Sequence, residues 1–162
     1  MKMKRSLTVT WEDPLAAHSA GRTLSGLAYM QEMIAGRIPV PPIMHLLGYR
    51  LAQVGEGLAV FECEPGEQHY NPIGVVHGGL AMTLLDSAMG CCVHTRLPAG
   101  TGYTTLEAKV NLVRAITAKT GLIRATGRVI HLGGKTATAE ARLEDAAGKL
   151  YAYGTTTCLI LG

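Results

Sequence analysis

The chain has 162 residues, 48% of them hydrophobic and 17% charged, with a formal net charge of +3. That suits one domain with a full-sized core and argues against disorder. The basic residues are scattered, which excludes a nucleic-acid footprint, although a mild positive bias still favours a phosphorylated ligand. The opening MKMKRSLTVTWEDP has basic residues with no apolar run behind them, so no secretory signal is expected. No uninterrupted apolar run approaches membrane-spanning length, so no membrane partner is expected. Cysteines 63, 91, 92 and 158 form no CxxC pair, so neither a metal site nor a disulfide framework is expected. They read as reduced, buried thiols of a cytoplasmic protein.

Residues 13–36 read as a helix: Leu24, Leu27, Ala28, Met30 and Ile34 recur at roughly helical spacing, with Asp13-Pro14 as a start and Gly36 as a stop. IPVPP at 38–42 reads as an extended connector. LGYRLAQV at 47–54 and LAVFECE at 58–64, joined by GEG, read as a hairpin. A polar loop at 69–77 leads into a nearly all-apolar helix from about 78 to 94, and LPAGTG at 97–102 is a turn. Four alternating segments follow, at 103–115, 121–132, 135–146 and 150–161, with links short enough for a meander. Strands on both sides of one apolar helix predict an α+β fold, a curved antiparallel sheet wrapped around that helix. Residues 1–40 read as a tail and helical extension, and 41–162 as the main domain.

Chemistry concentrates in HYNPIGVVHGGLAMTLLDS, His69 to Ser87. Gly78 and Gly79 open the helix, so their N–H groups have no partner in a preceding turn and form a partly positive terminus. Asp86 lies roughly two turns further on, among Ala, Met, Leu and Val, where an acid needs a reason to be. Thioester hydrolysis needs a carboxylate to activate water or to attack, and donors for the developing oxyanion. Asp86 supplies the first and the helix start the second, with glycine allowing close approach of a substrate. The Asn71 amide can hold the water or the carbonyl. No nucleophile elbow, P-loop or dinucleotide fingerprint competes.

These residues carry a family resemblance. His69, Asn71, Gly74, His77, Gly78, Gly79 and Asp86 match H-x-N-x-x-G-x-x-H-G-G followed by an acid seven positions on. In this the chain resembles the hotdog-fold acyl-CoA thioesterases of the phenylacetate-pathway (PaaI-like) type. The likeness runs from about Pro41 to Leu161 and includes the GYTTLE and GGKT segments. It implies Asp86, Gly78, Asn71 and His77 as catalytic residues, with Thr105, on the strand behind Asp86, orienting the water. It implies a ligand path along His69, Gly79, Gly134, Lys135, Thr136 and Arg114. It also implies an acyl-CoA substrate whose coenzyme A is the only cofactor-like group.

Structural roles compete at several of these positions. Asp86 can pair with a strand group, His77 can bond the loop backbone, and Asn71 can form an Asx turn before Pro72. Gly78 and Asp86 are also about 12 Å apart along a helix axis, too far to reach one carbonyl easily. The resemblance resolves this with a homodimer, or a tetramer as a dimer of dimers, whose antiparallel helices share each site. Two other functions fit the sequence. A hotdog hydratase or dehydratase would use an HFPG-type loop where this chain has HYNPIG, and a non-catalytic acyl-CoA sensor would bind without turnover.

Overall fold

The computed structural model describes residues 4–162. Two short helices come first, α1 (Pro14–Gly21) and α2 (Gly26–Ile34), where the sequence predicts one. Each has its own N-cap: the Asp13 carboxylate accepts the Leu15 N–H, and Ser25 Oγ accepts the Ala28 N–H. A second cap inside a helical pattern is a restart signal, and here it outweighs the apolar periodicity. A third helix, α3 (Pro42–Leu47), lies partly in the predicted connector. Pro42 sits in its first turn, where the missing N–H has no partner to lose, and Gly48 ends it at φ 63°.

The main domain is a six-stranded antiparallel sheet around one helix. Strands β1 (Tyr49–Gly55) and β2 (Leu58–Cys63) form the expected hairpin. The central helix α4 runs Gly78–His94, as the sequence predicts. Then come β3 (Gly102–Leu112), β4 (Ile123–Leu132), β5 (Thr136–Asp145) and β6 (Leu150–Leu161). The spatial order is β1-β2-β4-β5-β6-β3. Only β4, β5 and β6 form the meander; β3 crosses over to pair with β6, and β2 pairs with β4. This is the hotdog architecture, with additional N-terminal helices.

Small residues set the depth at which α4 lies. Ala125, Ala139, Ala141 and Ala152 are fully buried beneath it, and Leu84, Leu85, Ala88, Met89 and Val93 fill the space above. At Gly127 an ideal Cβ would lie 2.1 Å from the Ala88 carbonyl oxygen, so the strand touches the helix backbone there. Gly127→Ala should cost about 1–3 kcal/mol through overpacking against backbone that cannot yield. Equilibrium denaturant unfolding checks this; an unchanged midpoint would mean that the helix can lift.

At one margin of the sheet, β3 pairs only with β6 and leaves a long edge open. Leu106, Leu112 and, just beyond it, Val113 are exposed. A long edge strand with exposed apolar side chains favours pairing with another chain.

Candidate active site

The loop before α4 is built by its own polar side chains. The Asn71 Oδ1 accepts the N–H groups of Ile73 and Val75, at 3.1 and 3.2 Å, and its backbone N–H donates to the Val75 carbonyl. Gly74, at φ 83°, makes the turn. The Val76 N–H donates to the Ile116 carbonyl, pinning the loop beside the segment after β3. The Asx turn is therefore present, and it uses the Asn71 oxygen while leaving the amide NH2 available as a donor.

His69 is buried and engaged at both ring nitrogens. Its Nδ1 accepts the Gly66 N–H and its Nε2–H donates to the Leu47 carbonyl, which ties the loop to the end of α3. Both ring nitrogens are thus engaged within the protein. His77 is the N-cap of α4, and its Nδ1 accepts the Gly79 N–H at 2.8 Å. The Gly79 N–H is therefore already engaged. Among the described residues the Gly78 N–H has no acceptor. Gly78 lines a cavity of about 260 Å³ with Asn71, His77 and Arg114. The Arg114 Nε–H donates to the Leu150 carbonyl, holding the guanidinium at that cavity.

Asp86 is exposed in the single chain, on the flank of α4 that meets β3 through Thr105. The sequence suggests burial because most of α4 is apolar; the structure leaves Asp86 exposed together with Met82, four residues before it on the same face. Thr105 Oγ1 donates to Asp86 Oδ1 at 3.0 Å, fixing the carboxylate and leaving Oδ2 unencumbered. Thr105, and not Thr104, faces the helix. Asp86 and Thr105 line a second cavity of about 290 Å³, walled by Met30 and Met33 of α2, Ile43 and Met44 of α3, and Tyr49 and Phe61 of the sheet. The two cavities share no residue.

Several members of the second cavity carry no signal in the sequence motif. Ser87, Cys91 and His94 follow Asp86 at helical spacing and form one stripe, which a helical projection shows once the helix is assigned. The Tyr49 hydroxyl lies 3.2 Å from Ser87 Oγ. Burial pushes the Cys91 thiol up to about 11, and the Asp86 charge adds to this, so it is no thiolate nucleophile at neutral pH. Burial also holds the His94 imidazole below the usual histidine range. Tyr49 and Tyr103 are raised, again mainly by burial.

The expected nucleotide turn lies elsewhere. Gly134, Lys135 and Thr136 form the β4–β5 turn, where the Gly133 N–H donates to the Thr136 carbonyl. They line neither cavity. Thr136 is in register with Leu159, and Leu159 with Thr104, so the turn stands two strands from β3, about 10 Å away, at the Asp86 end of the sheet. Ala137 faces the helix and is buried, so Thr136 projects from the opposite face.

Asn71 now has two separable jobs. Asn71→Asp keeps the oxygen that holds the loop but loses the NH2, so it should lower kcat at least about tenfold with little change in melting temperature. Asn71→Ala should do both, since two backbone N–H groups lose their acceptor, at about 1–3 kcal/mol each where they stay dry. Equal activity of Asn71→Asp and the parent would leave Asn71 a turn residue only.

A curved antiparallel sheet wrapped around one long helix defines the hotdog class of fold. Comparison with known proteins agrees. The profile of the thioesterase superfamily matches residues 73–152. A 1,4-dihydroxy-2-naphthoyl-CoA hydrolase of Listeria monocytogenes is 28% identical over 108 residues, covering 67% of this chain and 86% of the relative. A conserved protein of Pseudomonas aeruginosa superposes with a TM-score of 0.71 at 30% identity, covering 75% of this chain and 95% of that one. A putative thioesterase related to phenylacetic acid degradation, from Ralstonia eutropha JMP134, superposes with a TM-score of 0.73 at 28% identity, covering 81% and 98%. The chain belongs to the thioesterase superfamily and is a thioester hydrolase.

Proposed function

We propose that the protein hydrolyses an acyl- or aryl-acyl-CoA to the free acid and coenzyme A, in sites each shared between two copies of the chain. The observation that carries the reading is the separation of the two half-sites. Gly78 with Asn71 lines one cavity, Asp86 with Thr105 lines another, and the helix between them rises about 12 Å. A second copy with its α4 antiparallel brings the Gly78 end of one helix to the Asp86 of the other. Exposure of Asp86 and the open β3 edge, with Leu106 and Leu112, support such pairing. Assembly of such dimers in pairs, giving a tetramer, is compatible with the same site.

In this arrangement the thioester carbonyl accepts the Gly78 N–H at a helix start, where negative charge is favoured. The Asn71 NH2 donates to the same oxygen or to the water. As a base, Asp86 takes a proton from water while the new C–O bond forms; the C–S bond then breaks and the thiolate takes up a proton. As a nucleophile, Asp86 attacks the carbonyl carbon and the C–S bond breaks; the thiolate leaves and takes up a proton from solvent, and water then cleaves the acyl anhydride to the free acid and the Asp86 carboxylate. Thr105 holds the carboxylate in either case. His77 acts by capping: its bond to Gly79 orients the helix start and keeps Gly78 the free donor. Arg114, beside the Gly78 cavity, is suited to a coenzyme phosphate.

Release of free thiol from a panel of acyl-CoAs tests the reading. Sustained turnover is expected. Tight binding without thiol release would make the protein an acyl-CoA sensor instead.

A further inference from the structure

The Asp86 cavity has a polar far end. Tyr29, His94 and Tyr103 line both it and a third cavity, of about 580 Å³, between the N-terminal helices and the start of β3. The three rings form a partition between the two. The His94 ring centroid lies 5.9 Å from that of Tyr29 and 5.5 Å from that of Tyr103. Glycines make room for it. A Cβ on Gly90 would lie 2.8 Å from the Tyr103 ring, and one on Gly21 would lie 2.7 Å from the Tyr29 ring. At Gly26 a Cβ would lie 1.9 Å from the His94 carbonyl oxygen, and the Gly26 N–H donates to the Leu97 carbonyl. So α2 rests directly on the end of α4 and carries Tyr29 to the partition.

This partition keeps unused hydrogen-bonding capacity. Among the described residues neither the His94 ring nor the Tyr29 hydroxyl makes a hydrogen bond, and the Tyr103 hydroxyl has only the Cys91 sulfur at 4.0 Å. Among the described residues no fully buried side-chain nitrogen or oxygen lacks a partner, so these atoms are open to solvent where their residues line the cavities. Beyond the partition, the third cavity is lined by Arg22 and His18 and by no acidic residue. Arg22 forms no ion pair among the described residues. The helix terminus at His94 is partly negative and disfavours an anion, which leaves Arg22 as the attraction.

We propose that the junction of the two cavities, at the three shared rings, is a subsite for a carboxylate at the far end of the acyl group, with Tyr29 and His94 donating to it and Arg22 pairing it from the third cavity. The favoured substrates are then thioesters of dicarboxylic acids. This rests on the reading of Asp86 as the reacting end of that pocket. Asp86 and His94 are eight residues apart on one helix, a rise of about 12 Å, which suits a medium-length chain.

The test compares octanoyl-CoA with its ω-carboxylated counterpart of equal length, in turnover and, with non-hydrolysable thioether analogues, in calorimetric binding. The parent should favour the ω-carboxylated compound about tenfold in kcat/KM and in Kd. Arg22→Leu, an exposed change, should reduce both ratios to near unity, and Tyr29→Phe should reduce them in part. Equal handling of the two compounds by the parent, or ratios unmoved in Arg22→Leu, would overturn the subsite while leaving the thioesterase reading intact. The same ratios in analogue binding, with no thiol released from any thioester, would support the subsite and overturn the thioesterase reading.

Discussion

Asp86→Asn is expected to lower kcat for thioester hydrolysis at least about a hundredfold while leaving the melting temperature nearly unchanged. Asp86 is exposed in the single chain, and its one hydrogen bond among the described residues is the 3.0 Å contact from Thr105. Asparagine keeps an oxygen for that contact, so the fold loses little. It loses the charge that takes a proton from water or attacks the carbonyl. No other group nearby can substitute. Burial keeps the Cys91 thiol protonated at neutral pH, and the Ser87 hydroxyl has Tyr49, not a base, beside it. The measurement is thiol release under saturating substrate, beside a thermal melt. Parental turnover in a folded Asp86→Asn protein would remove Asp86 from the chemistry.

Much of this was legible in the sequence because it is local. A loop rich in His, Asn and Gly before an apolar helix fixes where α4 starts, and α4 runs as expected. Alternation places the strands within a few residues of their observed bounds. The crossover of β3 to β6 is not local; short links suggest a meander, and only packing around α4 decides the order. The break between α1 and α2 depends on one serine cap, and α3 on a proline tolerated in a first turn.

Within the site, the motif gives the residues but not their hydrogen bonds. His69 and Gly79 match the pattern as well as Gly78 does, yet both are used up inside the loop. Identity alone does not tell which N–H remains free. The aromatic partition was invisible for a different reason: Tyr29, His94 and Tyr103 come from three segments that meet only in the fold.

Gly78→Pro should be as damaging as Asp86→Asn, for a complementary reason. Proline removes the one N–H at the start of α4 that has no acceptor, and it is well accepted at the first helical position. The preceding His77 already has φ −60° and ψ 133°, which proline favours in its neighbour. A Cβ at this position meets the tip of Leu112, a side chain free to move. Loss of one oxyanion donor costs about a hundred- to a thousandfold in kcat. The two inactive chains then test where the site is. If Gly78 of one copy serves Asp86 of the other, a mixed dimer of Asp86→Asn and Gly78→Pro chains holds one site with both defects and one with neither. With equal amounts and free exchange, about half the dimers are mixed, so activity should recover to about a quarter of the parent's. Subunit exchange is followed independently, by mass tags on the two chains. Exchange without recovery would mean that no site is shared between copies, and the shared-site reading would fall.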